Sequence, residues 1–170
     1  MLTPEQEAWI DSLSDRVISI VPYDPHSQVL FRRVQKKIHS LLGEDVLVEQ
    51  SGSTIFEIAG QNEIDIAIVV PKDKFPEYIP KLEVVYGPVR SNYPDRARFE
   101  VKEDEKKIDL KIVDVNHPNY VEGKVFDNYL KAHPEDLERF RILKEQCNGL
   151  TTKEYYRKKT EFINEILAKA

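Results

Sequence analysis

One cysteine, one methionine and one tryptophan among 170 residues leave several function classes without their raw material. A lone Cys147 can neither close an internal disulfide nor supply the thiolates of a cysteine-based zinc site. The composition therefore suits a reducing compartment, and a cytoplasmic location is expected. No apolar run reaches the roughly 18 residues of a membrane-crossing helix. The N-terminal stretch MLTPEQEAWIDSL is acidic and amphipathic rather than a basic segment followed by an apolar one, so neither membrane association nor export is expected. A basic excess is missing too. The formal net charge is −5, with 15 basic against 21 acidic residues in the first 120 and 10 against 9 in the last 50. That is not the footprint of a general nucleic-acid binder, and a nucleic-acid partner is not expected. There is no internal repeat and no low-complexity segment.

What is present is a chain that is 41% hydrophobic and 32% charged, enough apolar residues for one real core. The expectation is a single domain over residues 1–170: an N-terminal helix within 1–15, a sheet core over 16–120 and helices over 121–170. Thr3, Pro4 and Gln6 have the form of a capping box with proline at the first helical position. Trp9 on that first helix is expected to pack against the core. RVISIVPYDP reads as a strand ending in a Tyr-Asp-Pro turn. From His26 to Leu42, Leu30, Val34, Ile38, Leu41 and Leu42 recur at helical spacing, with Gly43 as the stop. Arg32, Arg33, Lys36 and Lys37 take the wet side of this helix.

DVLVEQSG then reads as a strand followed by a glycine connection, and EIDIAIVV as a central, buried strand. KDKFPEYIPKLEVV predicts a helix interrupted by Pro76 and Pro80. RARFEVK and KKIDLKIVDV predict two strands joined at EDEKK. Three helices follow, over about 121–132, 134–147 and 151–168. The predicted class is α+β, or α/β with a mixed sheet.

On a strand, alternate residues share a face. Ile64, Ile66 and Ile68 therefore point one way, and Glu63, Asp65 and Ala67 the other. The later strand repeats the device, with Ile108, Leu110 and Ile112 opposite Asp109 and Lys111. If the two strands are neighbours, Asp109 lies beside Asp65 and three acids share one side of the sheet. Carboxylates that close together persist where they bind a cation or share a proton, and oxygen-only ligation favours Mg²⁺ or Mn²⁺. The plainer alternative is a solvated polar face of an antiparallel sheet. The Gly52-Ser53 pair ten residues before Glu63 favours the first reading, because a small-residue turn at a strand end lets backbone amides and a hydroxyl approach phosphate.

In TTKEYYRKKTEFINEILAKA, Lys159 falls near the centre of the stripe formed by Tyr155, Tyr156, Phe162, Ile163, Ile166 and Leu167. Its ammonium either snorkels to water or reaches an anion in the acid-lined cleft. His117, beside Pro118, reads as a loop histidine that is exposed or lines the cleft, and His133 as a turn or cap residue.

The segments IVPYDPHSQVLFRRVQKKIHSLLG, SGSTIFEIAGQNEIDIAIVV, FDNYLKAHPEDLERFRILKEQ and YYRKKTEFINEIL together resemble the GrpB family from about Val17 onward. That resemblance implies the nucleotidyltransferase-like core sheet of the DNA polymerase beta superfamily, flanked by helices and followed by a C-terminal helical segment. It carries over Gly52, Ser53, Thr54, Asp65, Tyr155, Lys159 and Phe162. The family's Val-Pro-Gly-Leu after Gly-Ser-Thr is here IFEIAG, one residue shorter, and Asp109 and Lys111 stand where many relatives have histidines. The implied activity is transfer of a nucleotidyl group from a nucleoside triphosphate to an unknown hydroxyl acceptor. Glu63, Asp65 and Asp109 would be the metal-binding and catalytic acids, with Glu63 where the superfamily more often has Asp. Gly52, Ser53, Thr54, Lys111, Tyr155 and Lys159 would bind the nucleotide. The alternative is a non-catalytic nucleotide or effector sensor, or a module assisting a partner, since some GrpB relatives are fused to dephospho-coenzyme A kinase.

Overall fold

Capping residues start the first and last helices. In the computed structural model, which describes residues 1–170, Thr3 Oγ1 accepts the Gln6 amide hydrogen at 3.2 Å, and Gln6 Oε1 accepts that of Thr3 at 2.9 Å. They open α1, Pro4–Ser12. The same reciprocal pair, Thr151 with Glu154, opens the last helix, Thr152–Leu167. Two compact units result: residues 1–23, 58–61 and 122–170 form one, and residues 24–57 and 62–121 the other.

The second unit carries the sheet. In chain order it has α2 (His26–Leu42), β1 (Leu47–Ser51), a 3₁₀ turn at Gly52–Phe56, β2 (Glu63–Val70), α3 (Phe75–Tyr86), β3 (Ser91–Tyr93), β4 (Arg96–Glu103) and β5 (Lys106–Asp114). The spatial order is β1-β2-β5-β4-β3, with β2 and β5 parallel and every other pair antiparallel. The sheet is therefore mixed and the class α+β. Leu30, Val34 and Ile38 of α2, with Phe75 and Leu82 of α3, bury the face made by Ile64, Ile66, Ile68, Phe99, Ile108, Leu110 and Ile112. Covering that face with helices leaves the alternate residues as a polar face.

Pro80 does not interrupt α3, which runs unbroken past it, and Pro76 sits in the first turn, where an amide hydrogen has no partner to lose. The one bond lost at Pro80 is offset by the burial of Phe75 and Leu82. The short β3 carried no alternation signal, being three residues long. Asp104 and Glu105, at φ 47° and 62°, make the two-residue loop between β4 and β5.

The other unit holds α1, the extended segment after it, α4 (Pro118–Ala132) from Glu122 on, α5 (Pro134–Gln146) and α6 (Thr152–Leu167). RVISIVPYDP is not a sheet strand. It makes only isolated bridges, Val17 with Thr151 and Val21 with Gly60, because its backbone bonds go to Gly149, Leu150 and Gly60 rather than to a neighbouring ladder. Trp9 is 45% exposed and packs edge to face with Tyr156 at 5.2 Å, at the margin of the small core of Ile18, Cys147 and Tyr155. Phe126, Phe140 and Phe162 pack as an aromatic trio, with Phe140 and Phe162 stacked at 5.3 Å. No helix is long and apolar enough to cross a membrane.

Candidate functional site on the polar face of the sheet

The parallel pairing of β2 with β5 sets Asp65 opposite Asp109, Glu63 opposite Lys107 and Ala67 opposite Lys111. The antiparallel partners complete the face, with Ser51 opposite Asp65, Glu49 opposite Ala67, Glu100 opposite Asp109 and Arg98 opposite Lys111. The structure thus brings Glu63, Asp65, Asp109 and Lys111 onto one face, with Gly52, Ser53 and Thr54 in the turn that leaves the end of β1 beside Asp65.

Gly52 is required there for two reasons. Its φ of 75° lies in the left-handed region, and a methyl group on its Cα would overlap Asp65 Oδ2 and sit 3.4 Å from Asp65 Cγ. The glycine lets the Asp65 carboxylate lie against the backbone at the start of the turn. Thr54 holds this turn together. Its buried hydroxyl accepts from Gln50 Nε2 at 2.8 Å and donates to the Ser51 carbonyl at 3.3 Å.

The acids feel one another. Burial, then the charge of Asp65, push the Glu63 carboxyl above its ordinary value; Lys107 opposes the shift and Asp109 adds to it. Lys107 Nζ lies 3.4 Å from Glu63 Oε2, and Arg98 Nη2 lies 3.6 Å from Asp109 Oδ2. No three His, Cys, Asp or Glu side chains are grouped so that they would hold a metal ion as they stand. An ion taken by these carboxylates would compete with Lys107 and Arg98. In chemistry the donors fit a hard divalent cation, because every donor on offer is a carboxylate oxygen.

Tyr155 and Lys159, grouped with this set by sequence, stand on α6 in the other unit. Tyr155 is fully buried beside Ile18 and Cys147, and the Lys159 ammonium lies 5.7 Å from the Tyr155 ring centre and 5.6 Å from that of Tyr156.

The family model for the GrpB protein matches residues 17–169. The chain belongs to the GrpB family. Its relatives include the UPF0157 protein BH1888 of Halalkalibacterium halodurans, 30% identical over 161 residues that span 90% of this chain and 82% of that protein. A UPF0157 protein of Vibrio cholerae is 26% identical over 150 residues, 87% of this chain and 79% of the relative. The crystal structure of the conserved protein GrpB from Enterococcus faecalis superposes with a TM-score of 0.66 at 20% identity, covering 88% of this chain and 98% of that one, and so shares its fold.

Several residues of this GrpB-family face escaped the sequence reading. Arg98 and Lys107 alternate with apolar neighbours in RARFEVK and KKIDLKIV, a signal as legible as the one that marked Asp109. Glu49 accepts a hydrogen bond from the Tyr120 hydroxyl at 2.7 Å, and burial, then this bond, push the phenol up to about 12. No spacing rule links residues 71 positions apart. His117 is buried rather than exposed: its Nδ1 lies 3.2 Å from the Asn119 amide and its Nε2 3.4 Å from Arg96 Nη1. His133 stacks on Tyr129 at 3.8 Å, and its carbonyl accepts the amides of Asp136 and Leu137 where α5 begins, the turn role expected of it.

Proposed function

We propose that this GrpB-family protein is a nucleotidyltransferase, moving a nucleotidyl group from a nucleoside triphosphate to a hydroxyl acceptor with Mg²⁺ or Mn²⁺. The observation that supports the reading is the register placing Asp65 opposite Asp109, with Glu63 two residues along and the Asp65 carboxylate against the Gly52 backbone. A divalent cation held by Glu63 and Asp65 would neutralise phosphate charge and align attacking and leaving oxygens. Asp109, released from Arg98, serves as the second acid or accepts the proton of the acceptor hydroxyl. Ser53 and the neighbouring amides contact the phosphates, and Lys111, opposite Ala67, adds a positive charge beside them.

One observation favours a second reading. Glu63 and Asp109 already have cationic partners, which suits a module that binds a nucleotide or effector without catalysing transfer. Thermal unfolding with each of ATP, GTP, CTP and UTP, with and without Mg²⁺ or Mn²⁺, separates the two. A ligand at 100 times its dissociation constant stabilises by ~2.7 kcal/mol. The transfer reading expects metal-dependent stabilisation that disappears in Asp65→Asn and Asp109→Asn. Nucleotide binding indifferent to metal sinks it and favours the sensor.

A further inference from the structure

The cations on this face are not equally supplied with anions. Lys107 has Glu63 at 3.4 Å, Lys102 has Glu105 at 2.7 Å, and Arg90 has Glu100 at 3.0 Å. Arg96 lies over the Tyr93 ring at 4.8 Å and beside His117. The rung formed by Arg98 and Lys111 differs. The two face each other directly across β4 and β5, a spacing of ~4.5–5.5 Å between Cβ atoms, where like charges repel. The other rung of two cations, Lys102 opposite Lys107, has one carboxylate for each lysine. Arg98 has a single ion-pair partner, Asp109, at 3.6 Å, beyond hydrogen-bond length, and Lys111, though it shares the face with Asp109 and Asp65, makes no ion pair. Lys111 is half-buried, so the repulsion is only partly screened by water.

We propose that Arg98 and Lys111 form a phosphate subsite on this face, engaging a phosphoryl group of the substrate without a metal ion; the proposal rests on the nucleotidyl-transfer reading above. The planar guanidinium presents paired N–H donors to an oxyanion, and the ammonium adds a point charge from the opposite strand. A phosphoryl group there cancels the repulsion across the rung. Its position next to Asp109 places it where either the nucleotide or a phosphorylated acceptor has such a group.

The test is binding of inorganic phosphate and pyrophosphate by calorimetry and thermal shift in the presence of EDTA, at matched ionic strength. Saturable binding by the wild type is expected, weakened about tenfold or more by Arg98→Ala and by Lys111→Ala. Arg98→Lys is expected to recover part of it, while Lys102→Ala leaves it in place. Urea midpoints without ligand check that the variants fold. Displacement of phosphate by ATP assigns the bound group to the nucleotide, and simultaneous binding assigns it to the acceptor. Absence of saturable binding by the wild type, or wild-type binding by both alanine variants, overturns the subsite. If phosphate binds as expected but no nucleotide stabilises in a metal-dependent way, the transfer reading fails alone and the subsite stands.

Discussion

Replacing Gly52 with alanine asks whether the Asp65 carboxylate lies against the backbone that opens the turn. Two costs are expected. Holding an alanine at a φ of 75° costs ~1–2 kcal/mol. Forcing apart the new methyl and Asp65 Oδ2 costs a further ~1–3 kcal/mol, because the carboxylate has to turn away from the turn while its backbone stays fixed in the interior strand β2, between β1 and β5. The single variant is therefore expected to lose ~2–5 kcal/mol. The second cost depends on the carboxylate and the first does not. In an Asp65→Ala background the atoms that the methyl would overlap are gone and only the Asp65 Cβ, at 3.8 Å, remains, so Gly52→Ala costs the backbone share alone. The assay is urea unfolding of the four proteins of a double-mutant cycle, read as midpoints at unchanged slope. A coupling of ~1–3 kcal/mol is expected. Strict additivity would mean that the carboxylate is not held against Gly52, and the geometry that supports the proposed site would fall with it.

Two other perturbations test the fold beneath the site. Glu105 and Asp104 both hold left-handed conformations in the β4–β5 loop, so Glu105→Gly is expected to stabilise by ~0.5–1 kcal/mol, read as a rise in the urea midpoint; a loss would show that the Lys102–Glu105 ion pair outweighs the strain. Hydrogen bonds from Arg139 and then Lys169 hold the Glu165 carboxyl down at about 2, below its ordinary 4.5. A depressed carboxyl stabilises the fold above the unfolded value and ceases to as pH falls, so this contribution is expected to disappear between about 4.5 and about 2. The side chain is 43% exposed, which keeps the effect small and salt-sensitive. Acid titrations of thermal stability in wild type and Glu165→Gln should converge at the low end of that window, and parallel curves would refute the assignment.

Much of this protein could be read from local pattern. The helix from His26 to Leu42 with its glycine stop, the strand Glu63–Val70, the β4–β5 hairpin and the three C-terminal helices each follow from a periodicity or a cap that neighbouring residues supply. Alternation also placed Glu63 with Asp65, and Asp109 with Lys111, on common faces, since a strand has only two. Where pattern misled, a partner elsewhere in the chain decided. RVISIVPYDP is apolar and β-branched like a strand, but the chain offers it loop carbonyls and amides rather than a ladder. Pro80 reads as a breaker, but the buried residues of α3 outweigh one lost hydrogen bond.

The sequence by itself determined the elements and the residues that share a face, because backbone geometry imposes those periods on any chain. Only the tertiary structure decided which strands are neighbours and in what register. The parallel pairing of β2 and β5 turns two separate acidic patterns into one face, the β1–β2 pairing brings Asp65 onto the bare Cα of Gly52, and the β4–β5 pairing sets Arg98, with Asp109 as its ion-pair partner, opposite Lys111. Those relations span 11 to 44 residues of chain, and the close packing of side chains on a common sheet is what sets them.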